Sequence, residues 1–277
     1  MRRNQAFTLI ELLVVISIIA LLVGILLPAL GAARRTARQM KNGTQVRGIH
    51  QAMVIFSQGN NGWYPGYDNE GDIIATATNV TQALTGQSGA HPATRFREMW
   101  DDRLFDGPYM ISPSEPGQPQ TNDTQTLAPG SHTDPTQVGY SYALLALVDT
   151  NETPSTGARR TDEWRETTHQ RSVVISDRLI KDSVSTRLRS VHTDPTSAND
   201  WKGSIGFNDN HVEFEPDEII DTVYGSETRV SRVTDDNLFA QNNGLNASGG
   251  TVTGGDAVMV WDNPDANVPA DIYDGTP

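Results

Sequence analysis

Apolar residues run from Phe7 to Leu30, broken only by Thr8, Glu11, Ser17, Gly24 and Pro28. As a helix this stretch of about 24 residues is about 36 Å long at 1.5 Å per residue, enough to cross a hydrocarbon core of about 30 Å. A polar, basic stretch follows. Apolar positions then recur at Met40, Val46, Ile49, Met53 and Phe56, and the spacings of three, four and three from Val46 onward are helical. The pattern predicts that the helix resumes after the basic patch and packs its second half on a body. "QGNNGWYPG" (Gln58–Gly66) should end it, with Gly59 or Gly62 as the cap and Pro65 beyond.

Beyond residue 66 the periodicity shortens and weakens. "TRFREMWDDRLF" (Thr94–Phe105) reads as a short amphipathic helix with Phe96, Met99, Trp100 and Leu104 on one side. Residues 107–137 hold much of the proline, with glycine, serine and threonine, and predict an exposed loop or insertion. "GYSYALLAL" (Gly139–Leu147) is helix or strand; period does not decide. "RSVVISD" (Arg171–Asp177) reads as a strand, and "GSIGF-NDN-HVEFE" (Gly203–Glu215) as a β-hairpin. Alternation puts Val212 and Phe214 on one face of that hairpin, which, with Phe207, is expected to pack on the helix around Ile49–Phe56. "GDAVMVW" (Gly255–Trp261) is a candidate last strand. The expected fold class is α+β: a long N-terminal helix, membrane-spanning in its first half, packed on a C-terminal antiparallel β-sheet domain with loop-rich insertions.

Charge changes the picture of what this body meets. The chain of 277 residues has a net charge of −13. Residues 1–50 carry seven Arg and Lys against the single Glu11, and the remainder carries 14 against 33 acidic residues. An acidic body argues against nucleic acid as a partner, because phosphate neutralisation needs clustered cations. There is no cysteine, which removes disulfides, thiolate metal sites and cysteine nucleophiles.

Little else in the body reads as chemistry. "HTDPT" occurs at His132–Thr136 and His192–Thr196 and reads as an Asp-Pro turn rather than a metal site. His169, His192 and His211 lack any local ligand spacing, and no G-x-S-x-G supports a hydrolase. No catalytic residue and no cofactor is assigned. "FNDN" (Phe207–Asn210), "TDDN" (Thr234–Asn237) and "WDNPDAN" (Trp261–Asn267) offer oxygen ligands suited to calcium but match no EF-hand loop. The five tryptophans (Trp63, Trp100, Trp164, Trp201 and Trp261) read as core rather than as a sugar-binding platform.

Glu11 is the feature that asks for a reason. A carboxylate at membrane depth costs about 2.5–3.5 kcal/mol on insertion scales. An ordinary secretory signal peptide would have a shorter apolar region, about 7–15 residues, and no glutamate in it. A plain transmembrane anchor leaves Glu11 unexplained. The third reading starts from the short basic leader Met1–Ala6 followed by "FTLIELLVVISIIALLVGILLPAL". This resembles the type IV pilin and type II secretion pseudopilin superfamily. The helix ending in "GWYPG" and the hairpin "GSIGFNDNHVEFE" also resemble exported pilin-like proteins of planctomycete bacteria.

The resemblance implies that a prepilin peptidase cuts between Ala6 and Phe7 and that the new N-terminus at Phe7 is methylated. The family usually has Gly before the cut, where this chain has Ala6. It implies a division into leader (1–6), transmembrane and assembly helix (7–30), amphipathic continuation (31–58) and globular body (59–277). Glu11 and Pro28 become assembly residues. Glu11 lies one helical turn from the Phe7 amine, so the amine of one subunit and the carboxylate of another can neutralise each other. Pro28 weakens the helix locally. The implied function is structural: a subunit drawn from the inner membrane into a type IV pilus or a secretion pseudopilus with other pilin subunits, its body outside the cytoplasm. The alternative is a membrane-anchored exported binding protein that does not polymerise; an exported enzyme has least support. The cluster Arg34, Arg35, Arg38 and Lys41 follows the span and by the positive-inside rule pulls against an outward body, while Arg2 and Arg3 pull for it.

Overall fold

The computed structural model describes residues 9–71, 92–115, 140–145, 164–166, 169–181, 188–193, 201–224, 231–239 and 259–260. Helix α1 (Leu9–Gly59) runs 51 residues without interruption. It therefore does not stop and resume around the basic patch. Arginine and lysine are good helix formers, and Pro28, the one breaker, lies inside the helix. The carbonyl that its ring crowds and leaves unbonded is that of residue i−4. That residue is Gly24, with nothing within 4 Å of where a Cβ would stand.

The end of α1 differs from expectation in its capping residue. Gly62 donates its N–H to the Ser57 carbonyl at 2.9 Å, the six-to-one bond of a Schellman ending. The left-handed residue it requires is Asn61 (φ 51°), with Gly62 left-handed beside it. Helix α2 (Pro92–Asp101) starts and ends earlier than the sequence suggests. Arg103 (φ 57°) is its left-handed terminator. Leu104 N–H bonds to Met99 and Arg103 N–H to Trp100, so Leu104 folds back on the helix from outside it.

A five-stranded antiparallel sheet forms the centre of the body, in the order β6-β5-β2-β1-β9. Its strands are β1 (Tyr142–Leu145), β2 (Val173–Asp177), β5 (Gly203–Phe207), β6 (Val212–Glu215) and β9 (Met259–Val260). "YALL" is thus strand, fully buried between β2 and β9. Two small hairpins stand apart from it: β3 (Ile180–Lys181) with β4 (Leu188–Arg189), and β7 (Ile219–Tyr224) with β8 (Ser231–Asn237). The β5–β6 hairpin turns as its sequence predicts. Asn210 N–H bonds to the Phe207 carbonyl and Asn210 is left-handed (φ 67°), a type I turn closed by an αL residue.

The second half of α1 lies across the sheet at β5, β6 and β2. Val46, Ile49, Ala52 and Met53 join Tyr64, Phe96, Tyr142, Trp164, Ile175, Trp201 and Ile205 in one core. Gly206 is glycine because a Cβ there would meet Ile175 Cγ2 at 2.6 Å and Val46 Cγ1 at 2.8 Å. Three packing expectations need correction. Met40 is 70% exposed rather than core. The hairpin's contact with α1 starts nearer the N-terminus than Ile49–Phe56, with Val212 facing Gly43 and Gly206 against Val46, and reaches that range at His50, which meets the turn. Phe207 is buried, but Phe214 is 40% exposed, because β6 is the edge strand, where the His192 ring meets Phe214 edge-on at 5.4 Å and leaves part of it open.

Candidate functional site: the N-terminal stem and its seat

Every residue from 9 to 38 is exposed, so about 45 Å of α1 projects beyond the body at 1.5 Å per residue. Leu9, Ile16, Leu22, Ile25 and Leu30 lie open to solvent on all sides of this stem. A helix apolar all round is stable only when something apolar surrounds it. This one is long and apolar enough to cross a membrane. Glu11 sits exposed near its start and Pro28 near the end of the apolar run. Ala6 and Phe7 lie outside the described residues. Arg34, Arg35, Arg38 and Lys41 are exposed where the stem reaches the body.

Burial begins abruptly at Asn42, and half the buried side chains of α1 are polar: Asn42, Gln45, His50 and Ser57. Asn42 donates its amide to the carboxylate of Asp177 at 2.8–2.9 Å and lies 3.0 Å from Ser204 Oγ. Tyr142 OH donates to Asn42 Oδ1 at 3.0 Å. Asp177, fully buried at the end of β2, also accepts the Ser204 N–H at 2.6 Å, and His192 Nε2 lies 3.2 Å from its Oδ2. Gln45 Nε2 donates towards the carbonyls of Pro108, Tyr109 and Ile111. The helix is thus fastened to a strand, a turn and a loop through one buried carboxylate and two amides. A carboxylate this deep is tolerated because donors surround it.

A second fastening holds the hairpin turn. His50 Nδ1 is 3.2 Å from Asn210 Oδ1 and its Nε2 3.4 Å from Asn208 Oδ1. Tyr64 OH donates to the same Asn208 oxygen at 2.6 Å, and Arg47 Nε to the Asn210 carbonyl at 3.3 Å. The side-chain oxygens of Asn208 and Asn210 in "FNDN" therefore face α1 and Tyr64, while the Asp209 carboxylate faces His211. Burial, opposed by the two asparagines, holds His50 below its ordinary 6.5. The folded chain keeps this ring neutral, while the unfolded chain gains a proton as pH falls past 6.5, so the contribution of His50 is present above 6.5 and lost below it. Glu98 runs the other way. Burial, opposed by the Gly66 N–H and Arg95, pushes its carboxyl up to about 7 from 4.5. Its folded form holds a proton between these values that the unfolded chain has released, so it favours folding as pH falls through that window. The stability difference between the native chain and His50→Gln, measured by denaturation, isolates the histidine. It should shrink as pH drops below 6.5; a constant difference would contradict the assignment.

The remaining candidates do not converge. His169 Nδ1 accepts the Arg171 N–H within its own turn, His192 faces Asp177, and His211 stacks on Phe207 at 4.2 Å. Among the described residues no group of three His, Asp or Glu is placed to hold a metal. "TDDN" lies on β8; "WDNPDAN" and His132 lie outside the described residues. Trp164 and Trp201 are fully buried, and Trp63 stacks on Tyr67 beneath Arg165. The seat itself was missed in the sequence. Asp177 and His192 are far from Asn42 along the chain, and only a polar residue at a core-facing helical position hinted at it.

Residues 1–27 match the model of the prokaryotic N-terminal methylation motif. No curated protein and no solved structure matches the chain.

Proposed function

We propose that this chain, whose first 27 residues carry a prokaryotic N-terminal methylation motif, is a pilin-like subunit of the type IV pilus or type II secretion pseudopilus kind. Prepilin peptidase removes residues 1–6 by cutting between Ala6 and Phe7, and Phe7 is methylated. Residues 7–30 then hold the chain in the inner membrane by a single pass, with the continuation 31–58 and the body 59–277 outside the cytoplasm. Assembly draws the same helix among its neighbours, with Glu11 paired to an adjacent Phe7 amine and Pro28 giving local compliance. The role is structural, without catalysis.

The single observation that carries this reading is the coincidence of the motif with an unbroken, wholly exposed apolar stem joined to a folded body. A membrane can surround the stem, and so can the stems of neighbouring copies, which is what passage from membrane to filament requires. The carboxylate separates the two settings. In lipid it is a cost; among stems it is a register device, because only one axial stagger neutralises it. Crosslinking of intact membranes tests the reading. A ladder of multimers is expected from the full chain, and monomers alone would favour an anchored protein that does not polymerise.

A further inference from the structure

Asn-Gly is among the strongest turn-forming pairs a sequence can carry, yet Asn42-Gly43 lies inside the unbroken helix α1. Packing does not require the glycine. A Cβ on Gly43 would meet Val212 Cγ1 at 3.6 Å, which is ordinary contact. Glycine inside a helix lowers its stability relative to alanine. The pair therefore weakens α1 at the point where burial begins and the helix enters the body.

Asn-Gly is also the pair most prone to deamidation, because glycine leaves the nitrogen that follows the asparagine open to approach. The Gly43 nitrogen attacks Asn42 Cγ and loses its proton, a C–N bond closes a cyclic imide, and the Cγ–Nδ2 bond breaks to release ammonia. Water then opens the imide at either carbonyl. The product is an aspartate, or an isoaspartyl link that runs the main chain through the side chain. Water is consumed, ammonia is released, and nothing is oxidised or reduced. The seated geometry opposes each step. In a helix the Gly43 N–H is turned to the carbonyl four residues back, that of Gln39. The Asn42 side chain is drawn off towards the sheet: Nδ2 donates to Asp177 at 2.8–2.9 Å and lies 3.0 Å from Ser204 Oγ, and Oδ1 accepts the Tyr142 hydroxyl at 3.0 Å. The carbon to be attacked and the nitrogen that must leave are both held away from Gly43, and the residue is fully buried from water.

We propose that Asn42-Gly43 is a deamidation site gated by the seat of α1: it reacts in copies whose helix has left the body, and the product does not take the seat again. An aspartate at 42 would set a second carboxylate within hydrogen-bonding distance of Asp177, where a donor stood before. Two buried carboxylates sharing one site repel, and neither supplies the donor the other needs. The isoaspartyl form shifts every residue on one side of it out of helical register. Deamidation thus turns a reversible unseating into a one-way step and marks chains whose stem has come away from the body. The inference does not depend on polymerisation; it holds equally for a chain that is only anchored.

Peptide mass spectrometry of the detergent-solubilised full chain, incubated with and without urea, follows the reaction. Asn61-Gly62, at the far end of α1, is the reference in the same sample. In urea the two pairs should react alike; without urea residue 42 should react many-fold more slowly. Asp177→Asn keeps the shape of the seat but removes an acceptor oxygen. It should speed the reaction at 42 several-fold and leave Asn61 at its native rate. Gly43→Ala should suppress the reaction at 42 in urea and in the Asp177→Asn background. Asn42→Asp, the product itself, should open the segment around residues 38–45 to protease. Asn42→Asp combined with Asp177→Asn returns one amide and one carboxylate to the pair and should restore protection. Equal rates at 42 with and without urea, no acceleration in Asp177→Asn, or equal acceleration at 42 and 61 would each overturn the local gate. Persistence of the reaction in Gly43→Ala would overturn the assignment to the Gly43 nitrogen, and failure of the double variant to regain protection would overturn the one-way step.

Discussion

Asp177→Ala should destabilise the body by about 3–5 kcal/mol, the scale of large effects from breaking a buried hydrogen-bond network. The change strips the Ser204 N–H of its acceptor inside the core, leaves the Asn42 amide only Ser204 Oγ, and leaves His192 facing a void. Each buried donor left unmade costs about 1–3 kcal/mol, and the side chain removed was fully buried. With a domain stability of about 5–15 kcal/mol, this is about a fifth of the whole or more. The consequence is directional as well as large. Asn42 is where α1 first enters the body, so the helix should detach there before the sheet melts. Denaturation of the detergent-solubilised chain measures the loss, and proteolysis near residues 38–45 reports the detachment. A loss under about 1 kcal/mol would show that the carboxylate is not what seats the helix.

Glu11→Gln should leave cleavage and folding intact and abolish or strongly slow assembly. The side chain is exposed near the start of a stem that stays exposed over residues 9–38, whereas the core that holds the body together starts at Val46. As a lone membrane helix the variant should insert more easily, because the anion at depth is gone. In the assembly a neighbour's Phe7 amine would be left without counter-charge, and an unpaired charge in an apolar setting costs several kcal/mol. Glu11→Leu should behave likewise, which separates charge from hydrophobicity as the limiting quantity. Multimer ladders from membranes expressing each variant give the answer. Normal ladders from both would reduce Glu11 to an interfacial residue that reaches towards water, and loss of cleavage would move its role to recognition by the peptidase.

The stem was legible because its signal is local: an apolar run of spanning length, one carboxylate and a basic leader. The hairpin at Phe207–His211 was legible for the same reason, since "NDN" supplies the αL residue within the turn itself. Where the reading failed, the cause lies at a distance. The apolar period chose Met40 as core, but the helix enters the body on Asn42 and Gln45, whose partners sit on β2, β5 and the Pro108–Ile111 segment. Polar residues are buried there because the sheet delivers a carboxylate and a hydroxyl to them. No window of neighbouring sequence carries that information. Phe214 faces as alternation predicts, yet alternation cannot say that β6 is an edge. The β7–β8 hairpin was missed because neither "IIDTVY" nor "SRVTDDN" alternates cleanly and no Asn-Gly or Asp-Gly turn joins them. The Asp-Pro part of the second "HTDPT" lies outside the described residues, and the approach of His192 to Asp177 at 3.2 Å depends on the fold bringing His192 back against the end of β2. The candidate site divides in the same way: Ala6, Phe7, Glu11 and Pro28 come from one contiguous motif, and the seat that holds the stem comes only from the fold.

The central claim is that the N-terminus is a processed assembly stem and neither a retained anchor nor a discarded signal. Mass spectrometry of the chain isolated from its native membranes tests it most directly. The account predicts an N-terminal peptide beginning at Phe7 and heavier by one methyl group. A chain beginning at Met1, or one trimmed near Ala33 with the stem removed, would contradict it.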